Sequence, residues 1–174
     1  ARSRMTRVGR IAVALAEGVL SGLTAPPAIG HPRYSSTGSS KLCNAQPLRI
    51  EDPTLGWLAF GHNGNITNAE TIQAELVAQG AIFETTSDSE LIARLAAASH
   101  GSNWVTRYRR AMSRLTGAYS LTLLTPTHLI AVRDPMGIRP LCIGKLPAND
   151  KIDSNSDNKH ATLPPSHAGA LVVV

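Results

Sequence analysis

The order of local patterns along this chain of 174 residues predicts an α+β fold, with antiparallel sheets and flanking helices. Three observations carry that expectation. Short apolar runs bounded by turn residues occupy the stretch up to residue 62. Two successive capping boxes then open helical stretches, and short apolar runs return from residue 118 onward. Strands, then helices, then strands is the signature of segregated elements, not of alternating βαβ units.

Residues 1–28 have no clear period, and Pro26 and Pro27 close them with a pair that fits neither a helix interior nor a central strand. They are expected to be an irregular N-terminal segment. A short strand is predicted from Ala28 to Ser36, running into the turn chemistry of Gly38, Ser39 and Ser40. Leu48–Ile50 and Trp57–His62 read as two further strands, separated by Asp52-Pro53-Thr54.

Thr67 and Glu70 form a capping box ahead of the partial apolar stripe Ala69, Ile72, Leu76 and Ala78, and Gly80 ends that helix. Ser87 and Glu90 form a second box before Leu91, Ile92 and Leu95, so a second helix should reach about Ser99. Asn103 is the expected cap of a third helix over Trp104–Leu115, with Gly117 after its end. Strands follow at Ala118–Leu124, Leu129–Arg133 and Leu141–Ile143, as a meander turned by Pro126-Thr127 and by Asp134–Gly137. Residues 147–168, rich in Pro, Asn, Asp, Ser and Lys, read as a flexible loop, and Ala170–Val174 as strand-like.

The composition is globular, with 43% hydrophobic and 17% charged residues; at 4% aromatics, the core must be built from Ala, Leu, Ile and Val. No cofactor-stacking surface is implied, and no cofactor is expected. The formal charge of +5 admits an anion- or nucleic-acid-binding module built on Arg2, Arg4, Arg7, Arg10 and the Arg107–Arg114 helix. Arg107, Arg110 and Arg114 recur at helical spacing, however, which reads as one solvated helix face. Few aromatics interleave with them, so nucleic acid is not an expected partner.

Cys43 and Cys142 match no metal-ligand spacing, and no metal is expected. Cys142 reads as a buried strand residue. The cysteine usage points to a reduced, cytoplasmic-type protein, with a bridge between the two left open. No apolar run approaches the roughly 20 residues a membrane span needs, so a membrane is not an expected partner. The Arg-rich start followed by Ile11–Ala16 imitates a targeting sequence, but Glu17 cuts its apolar run short.

Three polar segments stand at predicted strand ends: Gly30–Gly38, Gly61–Asn65 and Thr85–Glu90. Loops at strand ends are where a rigid scaffold leaves the backbone free to face a ligand. Each segment has a plain reading too, with Asn63-Gly64 as a turn, Asp88 as a first-turn acid and Arg33 as a surface cation. Together they describe a receptor for a small zwitterion. Arg33 offers a planar fork for a carboxylate and Asp88 a counter-charge for an ammonium group. The Asn63 amide and the Gly64 N–H could converge on a developing oxyanion, a donor set worth ~3–4 kcal/mol per group when a nucleophile is present.

On these residues the chain resembles the class II glutamine amidotransferases. Gly30–Gly38 is similar to their arginine-containing strand end, His62-Asn63-Gly64 to their oxyanion segment and Thr86–Glu90 to their aspartate segment. Asn44-Ala45-Gln46-Pro47 and Ala131–Leu141 point to the amidophosphoribosyltransferase branch. The resemblance, over about Ile29–Lys145, implies a four-layer αββα sandwich of the N-terminal-nucleophile hydrolase type, here incomplete. It makes residues 29–174 a partial amidotransferase domain.

The resemblance also implies roles. Arg33 with Ser36 would hold the α-carboxylate of L-glutamine and Asp88 its α-amino group. Asn63 and Gly64 would be the catalytic oxyanion donors, and His62 would shape the pocket. Ammonia would pass to a phosphoribosyltransferase domain, present with this one in the complete protein or its homo-oligomer, to form phosphoribosylamine in the first step of purine biosynthesis.

Three departures from the family pattern follow. The N-terminal cysteine nucleophile and the phosphoribosyltransferase domain are expected to be missing, and Pro32, which donates no hydrogen bond, precedes Arg33 where the family has a small or β-branched residue. Neither Cys43 nor Cys142 carries an adjacent free amine, so the chain alone is expected to be inactive as a glutaminase.

Overall fold

The computed structural model describes residues 28–31, 41–145 and 171–173. It divides into two compact units, residues 1–139 and 140–174. In the first, a four-stranded antiparallel sheet has the order β1-β2-β3-β4, formed by Leu48–Asp52 (β1), Gly56–Ile66 (β2), Gly117–Leu124 (β3) and Leu129–Arg133 (β4). Between β2 and β3 lie three helices, Ala69–Ala78 (α1), Asp88–Ala98 (α2) and Trp104–Met112 (α3). A 3-10 turn, Leu42–Asn44, precedes β1. In the second unit, Ile143–Lys145 (β5) pairs antiparallel with Leu171–Val173 (β6).

The α+β class with antiparallel sheets and flanking helices stands, as one sheet and one helical layer among the described residues of the first unit. Period-two alternation sets the layering. Leu58, Phe60, His62 and Ile66 of β2, with Tyr119, Leu121 and Leu123 of β3, are all buried. They pack with Leu91, Ile92, Leu95 and Ala96 of α2, the helix that touches β1, β2, α1 and α3. Odd-numbered residues of β2 face the other way, and of these Asn63 and Asn65 are exposed.

β2 is longer than its predicted extent. It runs four residues past His62 because Asn63-Gly64 is not a turn: those residues stay in register with Ser120 and Tyr119. Gly64, at φ +155°, makes this possible, since a Cβ there would meet the Ala118 carbonyl oxygen at 2.1 Å. Gly117 faces the same constraint across the ladder, with φ +142° and the Asn65 oxygen at 2.2 Å from a Cβ position.

Helix ends show where short-range signals were overridden. Thr67 does not cap α1; its N–H and hydroxyl both donate to the Thr116 carbonyl, while Asn68 exchanges bonds with Arg114 and Thr116. Tertiary closure of the α3–β3 link therefore takes the capping residues. At its other end α1 finishes as expected: Ala81 N–H donates to Leu76 O and Gly80 N–H to Val77 O, with Gly80 left-handed. Ser87 caps α2 through Ser89 N–H, and Asn103 caps α3 through Thr106 N–H. Helix α3 stops at Met112, three residues before the expected Leu115.

Other expectations are corrected. Residues 28–31 are irregular, the strand expected to begin at Ala28 being absent over them, and its remainder lies outside the described residues. The strand expected at Leu141–Ile143 is shifted to Ile143–Lys145 and pairs with β6, not with a meander neighbour. Cys142 is consequently exposed, not buried in a strand, and both cysteines are free thiols. Of the flexible loop expected at 147–168, all residues lie outside those described.

The arginine face of α3 is not simply solvated. Arg107 donates to Asp52 at 2.5 Å, to the Ala97 and Gly101 carbonyls, and stacks over Trp104, with only 11% of its side chain exposed. Burial alone would raise the Asp52 carboxyl; the N–H groups of Leu55 and Thr54 and the Arg107 guanidinium hold it below the usual value. Arg110 donates to the His100 carbonyl and Arg114 pairs with Glu75. Arg107 therefore ties α3 into the first unit, while Arg110 and Arg114 are exposed, as expected of a solvated face.

Two stability predictions follow from this packing. Gly117→Ala should cost about 3 kcal/mol, through a positive φ combined with a backbone clash. Gly56→Ala, at φ +75° in open space, should cost only about 1 kcal/mol by urea denaturation. Arg107→Ala leaves the Asp52 carboxylate with its two backbone N–H bonds but without a cation and should cost about 3 kcal/mol in the same measurement, with little change for the exposed Arg109→Ala.

Candidate functional site

The site is built at an edge. β1 covers β2 only up to the Leu48↔Phe60 pair, so among the described residues the second half of β2 has one side without a strand neighbour. In an antiparallel ladder the N–H and C=O groups of successive residues point to alternate sides. Even-numbered residues of β2 point toward β1, and beyond Phe60 these are His62, Gly64 and Ile66.

Side chains take up most of that edge. Gln46 stands in for a missing strand: its Oε1 accepts from His62 N–H at 2.6 Å and its Nε2 donates to His62 O at 3.2 Å. His31 Nε2 donates to the same carbonyl at 2.8 Å. At the far end the Asp88 carboxylate accepts from Ile66 N–H at 3.2 Å. Register alternation directs the Gly64 N–H to this edge between the two.

Asp88 is placed by the start of α2, and that start is braced from three sides. Ser87 caps the helix, and the Glu90 carboxylate accepts from Thr85 N–H at 2.7 Å and Glu84 N–H at 2.9 Å while binding Arg94 at 2.9 Å. Glu90 thus completes the capping box only by reaching further upstream than its expected Ser87 partner. Asn44, fully buried, accepts from Thr86 N–H and donates to the Thr86 hydroxyl.

His62 packs beneath this edge with 4% exposure. Its Nδ1 lies 3.0 Å from Ser89 Oγ and 3.7 Å from Asp88 Oδ1, while its Nε2 has no hydrogen-bond partner among the described residues. Two tendencies compete for its proton. Burial lowers the imidazole pKa, Asp88 raises it, and His31 and Arg139 lower it; burial wins and the value falls to about 4. His62 is therefore neutral at pH 7, and its 3.7 Å approach to Asp88 is not an ion pair there. Asp88, whose side chain is 8% exposed, has no Lys or Arg partner among the described residues.

Of the residues singled out from sequence, the fold brings His62, Asn63, Gly64 and Asp88 to one end of β2. They do not share a direction: His62 lies under the sheet, the Gly64 N–H points to its edge, and Asn63 is exposed on the opposite face. On that face His31 packs over Gly61, its Cδ2 3.4 Å from where a Cβ would stand, so residues 28–31 approach the site two residues before Arg33. Arg33 and Ser36 lie outside the described residues. Sequence reasoning assigned no role to Gln46, Ser89, Asn44 or His31. A five-residue β1 paired with a longer β2 leaves backbone groups to satisfy, and polar residues just before β1 were the candidates to satisfy them.

A family model described as a glutamine amidotransferase domain matches residues 33–159. The chain belongs to that glutamine amidotransferase family. It is similar to the amidophosphoribosyltransferase of Synechococcus elongatus, 45% identical over 133 residues that cover 75% of this chain and 27% of that protein. The amidophosphoribosyltransferase of Bacillus subtilis is 38% identical, over 79% of this chain and 29% of that protein. The chain thus spans less than a third of these relatives.

Among solved structures, it is similar to glutamine phosphoribosylpyrophosphate amidotransferase from B. subtilis complexed with ADP and GMP, with a TM-score of 0.71 and 38% identity over 79% of this chain and 30% of that one. A structure of the allosteric regulatory enzyme of purine biosynthesis gives a TM-score of 0.73 with the same identity and coverage. Among the described residues of this amidotransferase domain, no helix is long and apolar enough to cross a membrane.

The depressed His62 pKa makes stability depend on pH. The unfolded chain takes up this proton near pH 6.5 and the folded chain only near 4, so the contribution is complete above 6.5 and is lost as pH falls toward 4. The loss over that interval is about 3 kcal/mol. His62→Asn should flatten the dependence between pH 6.5 and 4.5; urea midpoints that fall equally in both proteins would contradict the assignment.

Proposed function

We propose that this chain is the glutamine-binding part of an amidophosphoribosyltransferase-type enzyme, with residues 29–174 forming a partial amidotransferase domain. The observation that carries the reading is the pairing, on one open strand edge, of the Gly64 N–H with the Asp88 carboxylate, which has no cationic side chain beside it among the described residues. An α-ammonium group would supply the charge that Asp88 lacks. The side-chain carbonyl of glutamine would then meet the Gly64 N–H at the edge and the Asn63 amide where edge and open face join. Both donors would stabilise negative charge developing on that oxygen.

Arg33 and Ser36 are proposed for the α-carboxylate, supported by the run of residues 28–31 over the Asn63 face. His62 acts from below, as a neutral wall that supports Asp88 without quenching its charge. In the complete protein, ammonia released from glutamine would serve a phosphoribosyltransferase domain acting on phosphoribosyl pyrophosphate, within one chain or a homo-oligomer. Two free thiols fit the reducing cytoplasm.

Calorimetric titration with L-glutamine tests the reading. Binding should weaken at least tenfold in Asp88→Asn and in Arg33→Ala and stay unchanged in Arg109→Ala. An absence of heat with the unsubstituted chain, or equal affinity in all four proteins, would remove glutamine as the ligand.

A further inference from the structure

We propose that Gln46 is a positioning residue that sets the Gly64 N–H and the Asp88 carboxylate in register with each other. The proposal rests on the glutamine reading for its ligand but on separate geometry for its mechanism. Gln46, which belongs to neither element, bonds both to the strand carrying Gly64 and to the helix turn carrying Asp88. Its amide bonds both backbone groups of His62, as a neighbouring strand would, and its Nε2 also donates to Ser89 Oγ at 3.1 Å.

Ser89 in turn contacts His62 Nδ1 and accepts from Ser87 Oγ at 3.0 Å, so one buried network joins the strand to the cap of α2. Gln46 is 8% exposed and Ser89 1%, which keeps water from substituting for these bonds. The chemistry requires an amide. A carboxylate could still accept from His62 N–H, but it could donate neither to His62 O nor to Ser89 Oγ.

Two residues along the chain, Asn44 fixes Thr86 in the same manner, so the segment before β1 grips both sides of the site. That grip gives Asn44-Ala45-Gln46-Pro47 a physical role. Without the Gln46 amide, the edge of β2 beyond Phe60 is tied to the start of α2 by the Asp88–Ile66 and Ser89–His62 bonds alone among those described. The two groups that must meet one ligand then lose their fixed separation.

Gln46→Glu and Gln46→Met, with exposed Gln73→Met on α1 as control, test the assignment by amide hydrogen exchange, ¹⁵N NMR and glutamine calorimetry on the whole chain. In Gln46→Met the His62 N–H exchange should rise at least tenfold, and in both variants the Gly64 and Ser89 amide resonances should move. The β3 amides should stay protected, and glutamine affinity should fall at least tenfold.

Faster exchange with unchanged affinity would overturn the proposal, showing a brace without influence on the site. So would unchanged exchange at His62 in Gln46→Met, or loss of β3 protection in both variants, which would make Gln46 an ordinary core residue. Should the unsubstituted chain bind no glutamine, the ligand reading fails. The positioning role then stands or falls on whether the Gly64 resonance moves.

Discussion

The unequal lengths of β1 and β2 govern the first unit. Among the described residues, a strand of five beside one of eleven leaves the edge beyond Phe60 with backbone donors and acceptors to be satisfied by other groups. Every polar feature of the site answers that demand: Gln46 and His31 at His62, Asp88 at Ile66, and between them a glycine N–H left for something else. A longer β1 would have satisfied the same groups with backbone and removed the site.

Charge is distributed with the same economy. On α3, Arg107 serves the fold, joining the end of β1 to the end of α2 through Asp52 and Ala97. Glu90 and Arg94 form a local pair that anchors the approach to α2. Asp88 alone among these buried carboxylates lacks a guanidinium, and His62 beneath it is neutral because burial outweighs the attraction of the acid. Asp134 shows the contrasting case. Burial would raise its carboxyl, but the N–H groups of Ile138, Arg139, Tyr119 and Gly137 lower it, and its acceptor sites are filled by the turn it organises.

Much of this was legible in the sequence, and for identifiable reasons. Ser87 and Asn103 act as caps because their signals are local and nothing distant competes for them. Gly80 ends α1 for the same reason. Thr67 was misread because Thr116, 49 positions away, offers a closer partner, and no local rule contains that partner. Asn63-Gly64 was legible as important but not in form, since the same dipeptide that commonly turns a hairpin here lets β2 press against β3. The candidate site was readable as residue types at strand ends. Its internal wiring was not, because Gln46 acquires its partners 16 and 43 residues along the chain only when the strands are paired.

A bare strand edge is also a template on which another polypeptide can add, the usual route from a folded domain to ordered aggregates. In this domain the amide of Gln46 and the carboxylate of Asp88 occupy positions an incoming strand would need, leaving among the described residues the N–H and C=O of Gly64 between them. The two groups of one residue are a short ladder on which to hold a foreign strand in register. The glutamine recognition proposed above and resistance to self-assembly thus draw on the same two side chains, so drift at either one would erode solubility together with specificity.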